Sequence, residues 1–338
     1  MAYTCNYTLN LGALCIVEQS HSPVGLVLLM IASYFFFILL IFDETMFARL
    51  VMPHFLYTET DNAPIEKALF SVIPVPYEKT VSYGAGTAAA PGAIIEASGQ
   101  LEAWDGRSIP SDRGINTQEE VRASEPEEMI ELVSERIKLC FSHSSVPVVI
   151  GGEHSVSCGV WKAIAETYGA GEIGIVQIDA HADLRDSYQG TRYSHACAIR
   201  RACDYDFSVY QAGVRSISYD EVLFRKSYPN IKWADAQDIR RKRASLDIDE
   251  LFPDKVYITI DVDGFDPSVF RETGTPEPGG LMWYEVLFFI ERIARSREIV
   301  GFDVVELAPH RGSHVEAFAA ARLIHDIMGI IVRSKKTI

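Results

Sequence analysis

From about residue 66 onward, short apolar runs alternate with segments of helical spacing. The apolar runs fall at 68–73, 148–150, 173–178, 209–212, 256–260 and 300–305. Several are unbroken rather than alternating, as expected of strands buried on both faces. Pro147 precedes one run, at a strand start where no ladder donor is needed. Helices are predicted at about 155–168, 195–204, 283–296 and 314–334. Another carries Met129, Leu132, Val133, Ile137 and Cys140 on one face, and Pro91 opens a short one reaching Ala97. Strand–helix alternation over this length predicts an α/β fold with a parallel sheet covered on both sides. No internal repeat or interdomain linker interrupts the pattern.

The start of the chain departs from it. Residues 1–42 carry a single charge, Glu18, and residues 23–42 are uncharged and rich in Leu, Ile, Val and Phe. A helix needs roughly 20 such residues to span a bilayer. No basic region precedes the run and no small-x-small cleavage pattern follows Phe42, unlike a secretory signal. The first basic residue is Arg49, so a positive-inside signal is also missing. Three readings stay open: a membrane span at 23–42, an apolar surface extension, and translation that begins at Met46 or Met52. The expected division is an apolar extension at 1–45 and one domain at 46–338. The expected location is the cytoplasm, unless 23–42 anchors the chain to a membrane.

Composition narrows the function. Of the 338 residues, 48% are hydrophobic and 23% charged, enough to fill a globular core. There are 46 acidic and 31 basic residues, a formal charge of −15. General nucleic-acid binding needs a basic face and is disfavoured, whereas cationic small molecules fit the balance. Six cysteines without a CxxC pair argue against a disulfide scaffold, a zinc ribbon or thioredoxin chemistry. Cys158 and Cys197 are expected as small buried groups in helices. Gly84-Ala85-Gly86 lacks both a P-loop lysine and a third glycine, so it predicts no phosphate site.

The polar clusters at the ends of four predicted strands carry the chemistry. They are GGEHS (151–155), DAHAD (179–183), DVD (261–263) and DVVE (303–306). In a parallel sheet, ligands bind at the carboxyl edge of the strands. Alternate side chains of an extended segment point the same way, so Asp179, His181 and Asp183 share a side, as do Asp261 and Asp263. With His154 the set is two imidazoles and four carboxylates. So much negative charge in a dry crevice calls for cations, and two divalent ions complement it. Hard carboxylate oxygens with few imidazoles favour manganese over zinc. Two such ions can share a water and lower its pKa. A single DxD or DxH is ordinarily a turn or a strand-end cap; three clusters at separate strand ends are not.

These motifs resemble the ureohydrolases, the family of arginase, agmatinase and formiminoglutamase. The resemblance rests on GGEHS (151–155), DAHADLRDSYQGTRYSHAC (179–197), ITIDVDGFDPS (258–268), TGTPEPGG (273–280) and FDVVELAP (302–309). It covers about 66–335, includes GAGTAAAPGAI (84–94), and points most closely to agmatinase. It implies a three-layer α/β/α fold with a mostly parallel sheet and a binuclear manganese centre. One ion would be held by His154, Asp179, Asp183 and Asp261, the other by Asp179, His181, Asp261 and Asp263. A hydroxide oriented by Asp183 would attack the guanidinium carbon. Glu306 would bind the guanidinium, and His195 would pass a proton to the leaving nitrogen. Other readings exist for both: a water-satisfied His195 at a helix start, and a Glu306 paired with Arg311. His310 and His314 have HxxxH spacing without an HExxH glutamate and are expected in a loop at the pocket mouth. The family also implies a homo-oligomer, trimeric or hexameric.

The substrate stays open within the class. The arginine-gripping SGNxHG-like loop of arginases is absent, which disfavours arginine. Between Asp183 and His195 lie Asp186 and two tyrosines, suited to an amine, and Arg185 and Arg192, suited to a carboxylate. Agmatine leads, with putrescine and urea as products in polyamine biosynthesis. Guanidinobutyrate and formiminoglutamate are the alternatives. A non-catalytic, membrane-tethered relative is disfavoured by the complete ligand set together with His195 and Glu306.

Overall fold

The computed structural model describes residues 53–169, 171–310 and 313–335. The extension at 1–45, with its run at 23–42 and both alternative starts, lies outside the described residues. Eight strands form one sheet: β1 (Phe70–Val75), β2 (Ile115–Thr117), β3 (Val146–Gly151), β4 (Ile173–Ile178), β5 (Ser208–Ala212), β6 (Ile231–Ala234), β7 (Lys255–Asp261) and β8 (Glu298–Val305). The principal helices are α1 (Ala90–Ser98), α2 (Pro126–Ser142), α3 (Ser157–Thr167), α4 (Ala198–Cys203), α5 (Tyr219–Ser227), α6 (Ala236–Arg240), α7 (Trp283–Ser296) and α8 (Val315–Ser334).

Strand order is β2-β1-β3-β8-β7-β4-β5-β6, and every described pair is parallel. The unbroken apolar runs have the expected cause. All six residues of β4 are buried. Val176 and Ile178 point into one core, Ile173 and Ile175 into the other. The first core is closed by α1, α7 and α8, through residues such as Ile94, Phe289 and Ile324. The second is closed by α2, α3 and α4, through Met129, Trp161 and Ile199. These are the three layers. Each large apolar side chain so buried contributes roughly 1.5–3 kcal/mol over leaving it exposed.

The sheet order positions the site. The four strands that end in polar clusters, β3, β8, β7 and β4, are neighbours at the centre of the sheet. Clusters up to about 150 positions apart in sequence therefore meet at one edge, as the rule for open α/β sheets requires.

The sequence pattern misses β2, β6, α5 and α6. Both strands are edges, of three and four residues, and the middle of β6 is exposed, so neither presents an apolar run. α5 is polar overall but starts with a capping box, Ser218 and Glu221, a local signal independent of apolar periodicity. β1 begins two residues later than expected, at Phe70. Among the described residues, no helix is long and apolar enough to cross a membrane.

Candidate active site

The site starts where β3 ends. A Cβ on Gly152 would lie 1.9 Å from the Tyr77 carbonyl oxygen, so only glycine lets the chain pass there. Gly152 N–H donates to Val75 O and Glu153 N–H to Tyr77 O, both at 2.9 Å. Anchored this way, the chain enters a short 3-10 turn, His154–Val156, with the His154 side chain buried at the sheet edge. Gly264 has a matching role after β7, since a Cβ there would lie 2.7 Å from the Asp179 nitrogen.

Two carboxylate–imidazole groups result. His154, Asp179 and Asp183 form one; Asp179, His181 and Asp263 form the other. Asp179 belongs to both. His154 Nδ1 lies 3.2 Å from Asp179 Oδ2, 3.0 Å from Asp183 Oδ2 and 3.7 Å from Asp261 Oδ2. His181 Nδ1 lies 3.6 Å from Asp179 Oδ1 and 3.0 Å from Asp263 Oδ2.

The surroundings fix how these groups point. Thr259 Oγ1 donates to Asp303 Oδ1 at 2.6 Å, and Ser157 Oγ donates to the other oxygen at 2.9 Å. With its one proton committed, Thr259 can only accept from His154 Nε2–H, at 2.8 Å. Nδ1 is then the nitrogen facing the carboxylates, and it has no aligned hydrogen-bond partner although it is buried. A buried ring nitrogen close to carboxylates but out of hydrogen-bond alignment is a donor set suited to a cation. On the other side, Gln211 Nε2 donates to Gln177 Oε1 at 2.5 Å, and Gln177 Nε2 donates to Asp179 Oδ2 at 2.7 Å. Backbone N–H groups of His181 and Ala180 hold Asp179 Oδ1 and Asp263 Oδ1.

Electrostatics give the same picture. Burial and the charge of Asp179 push the Asp183 carboxyl up to about 7. Burial also raises Asp261 well above the carboxylate range, with Asp263 and Asp179 adding to it. Burial works against protonating His181, but Asp179 and Asp263 outweigh it and raise the imidazole to about 12. The same contest raises His154. The cluster thus draws positive charge to its centre, which is what a metal site must do.

Two side chains of the site sit on strained backbone. Asp183 has φ 52° and Glu306 φ 64°, in the left-handed region that costs a non-glycine residue roughly 1–2 kcal/mol. The turn at Glu306 brings its carboxylate back over the sheet edge, where Oε1 accepts from His154 N–H at 2.6 Å. Burial raises its carboxyl well above the usual range.

The family model described as the arginase family matches residues 68–329. This chain belongs to the arginase family. It is a ureohydrolase, an agmatinase-like hydrolase of linear amidines. The N(1)-aminopropylagmatine ureohydrolase of Synechocystis sp. is 38% identical, over 76% of this chain and 87% of that protein. The agmatinase of Pyrococcus horikoshii is 33% identical, over 81% and 96%. Among solved structures, the agmatine ureohydrolase of Thermoplasma volcanium superimposes with a TM-score of 0.73 at 29% identity, covering 81% of this chain and 94% of that one.

In this ureohydrolase a cleft of about 360 Å³ opens over the cluster, and His181, Asp183, His195, Asp261, Asp263 and Glu306 line it. His154 and Asp179 lie buried beneath. The residues between Asp183 and His195 divide. Arg185 and Tyr188 line the cleft, with the guanidinium 5.1 Å from the ring centre. Asp186 instead pairs with Arg201 and Arg192 with Asp204, both at 3.0 Å, and neither reaches the cleft. His310 and His314 are exposed and do not line it either. Arg311, the other candidate partner of Glu306, lies outside the described residues. Cys158 and Cys197 are buried free thiols. Nothing in the sequence marks Glu153, Thr80, Thr259, Asp303, Gln177 or Gln211 for these contacts, because each acts through a hydrogen bond that only the folded chain creates.

Proposed function

We propose that this ureohydrolase holds two manganese ions and cleaves agmatine to putrescine and urea. The observation that carries the reading is the pair of carboxylate–imidazole groups sharing Asp179 beneath a cleft bordered by His195 and Glu306. His154, Asp179, Asp183 and Asp261 would hold one ion, and Asp179, His181, Asp261 and Asp263 the other. When bound, the ions supply Lewis acidity that makes hydroxide available near neutral pH.

The chain's own groups do the rest. Glu306 receives the planar guanidinium with a carboxylate whose orientation is set by His154 N–H. Asp183 orients the attacking oxygen through a hydrogen bond. Water adds across the guanidinium carbon, and the bond to the alkyl-bearing nitrogen breaks. His195 gives that nitrogen a proton, so a primary amine leaves and urea remains. Burial pulls the His195 pKa down, opposed by the charge of Glu153; an imidazole is the side chain suited to take up and return a proton.

A second reading concerns the tail. Two relatives at 38% and 36% identity carry the name N(1)-aminopropylagmatine ureohydrolase, which favours agmatine extended by an aminopropyl group. A kcat/KM panel of agmatine, N1-aminopropylagmatine, arginine, guanidinobutyrate and formiminoglutamate separates the readings. Agmatine should lead by about tenfold or more. A lead for the aminopropyl compound would replace it as substrate, and turnover of arginine or formiminoglutamate alone would overturn both.

A further inference from the structure

Glu153 stands beside His154 in sequence, yet its carboxylate is held by Lys79, Thr80 and Ser155 rather than by the metal-ligand candidates. It is fully buried. Oε2 accepts from the backbone N–H of Lys79 at 2.7 Å and of Thr80 at 2.6 Å. Oε1 accepts from Thr80 Oγ1 at 2.8 Å and Ser155 Oγ at 2.6 Å. Four donors hold this group in a single orientation, and an ionised carboxylate can only accept.

The consequence passes to Thr80. Its one hydroxyl proton is committed to Glu153, so Oγ1 can offer only lone pairs elsewhere. It takes the backbone N–H of His195 at 3.0 Å, and it lies 3.2 Å from His195 Nδ1. Only a protonated Nδ1 makes that second contact favourable. Ser194 Oγ lies 3.3 Å from the same nitrogen, and a hydroxyl can accept as well as donate. The Tyr188 ring meets the imidazole edge-to-face at 5.9 Å, which restricts rotation of the ring.

We infer that Glu153 and Thr80 are positioning residues that hold His195 in its Nδ1–H tautomer and leave Nε2, toward the cleft, as the nitrogen that takes up and gives back the proton. The inference rests on the proposed role of His195 as proton donor. Neither residue touches substrate. The direction of the relay runs from acceptor-only carboxylate to hydroxyl to ring, and reversing it at the first member reverses the tautomer. In Glu153→Gln, the amide oxygen keeps the two backbone donors and its NH2 faces Thr80. The hydroxyl proton then swings toward Nδ1, which favours Nε2–H.

The test is a set of variants in the manganese-loaded full chain: Thr80→Val, Thr80→Ser and Glu153→Gln, each made with and without His195→Ala. Steady-state kcat and KM for agmatine are read together with bound manganese. Thr80→Val and Glu153→Gln should lower kcat by about tenfold or more, with KM within about threefold and metal content unchanged. Thr80→Ser, which keeps the hydroxyl, should restore most of kcat. In the His195→Ala background, neither substitution should lower kcat further, because the group they position is gone. Full kcat in Thr80→Val and Glu153→Gln, or equal losses with and without His195, would overturn the inference while leaving His195 as proton donor. Full activity of His195→Ala alone would instead overturn the reading on which the inference rests. Glu153→Gln keeps the test open if Thr80→Val does not fold.

Discussion

The carboxylate of Glu306 accepts the backbone N–H of His154 at 2.6 Å, tying the end of β8 to the turn after β3. These residues are 152 apart in sequence, and one is a metal-ligand candidate while the other is the guanidinium-binding candidate. The bond fixes where the Glu306 carboxylate stands over the cluster. Glu306→Gln keeps an oxygen that can accept from His154 but removes the charge proposed to receive the guanidinium. A charge-assisted bond of this kind is worth roughly 1.5–3 kcal/mol, so kcat/KM for agmatine should fall by about 10–150-fold with bound metal unchanged. Loss of metal in this variant would assign Glu306 to the metal centre instead.

Asp179 is common to both metal-ligand groups, whereas Asp263 belongs to one. Asp179→Asn should lose both ions and the rise in Tm that added manganese gives the parent. Asp263→Asn should keep about one ion per chain and part of that rise. An ion present at 100 times its Kd stabilises the folded protein by about 2.7 kcal/mol, a readable difference in Tm. Elemental analysis of the two variants, beside thermal melts with and without manganese, checks the assignment. Equal metal content in both would contradict it.

Gly152 and Gly92 make a paired test of backbone packing. Alanine at 152 drives its Cβ into the Tyr77 carbonyl, whereas at 92, inside α1, the Cβ meets nothing within 4 Å. Gly152→Ala should cost about 3 kcal/mol or more and displace His154. Gly92→Ala should be neutral or stabilising by up to about 1 kcal/mol. Urea denaturation of both variants measures the contrast.

His325 is buried in α8, where burial and then Arg322 hold its pKa down to about 4. In the unfolded chain it titrates near 6.5, so between those values the unfolded state binds more protons. The stability it contributes is complete above about 6.5 and is lost as pH falls toward 4, up to about 3 kcal/mol. Asp326, raised to about 6 by burial, acts in the opposite sense over part of the same window. His325→Leu removes only the first effect. Its unfolding free energy should therefore fall less steeply than the parent's from pH 6.5 to 4. Parallel curves would show that His325 is not titrating as a buried group.

Much of this was legible in the sequence because the central strands are long, apolar on both faces and end in polar clusters. β4, from Ile173 to Ile178, matches its apolar run residue for residue. The candidate ligands were legible because polar clusters directly follow β3, β4 and β7, although the extended alternation expected within 179–183 and 261–263 is broken by the left-handed Asp183 and by the 3-10 turn Val262–Gly264. β2 and β6 were not, since edge strands of three or four residues leave no hydrophobic period to read. The relay from Glu153 through Thr80 to His195 was not legible either. Its members are 73 and 115 residues apart, and the direction of each bond depends on where a hydroxyl proton is already committed. Asp186 and Arg192 misled for a related reason: both lie near the cleft in sequence, but they pair with Arg201 and Asp204 instead.

Two metal ions at one cluster sharing Asp179 would equip this ureohydrolase for agmatine-type substrates. The most direct test titrates manganese into the metal-depleted full chain and follows urea release from agmatine against the number of ions bound. Activity should rise to a plateau as the second ion binds and stay near zero in the Asp179→Asn variant. Full activity in the metal-depleted chain, or no urea from agmatine or its aminopropyl derivative with two ions bound, would contradict the account.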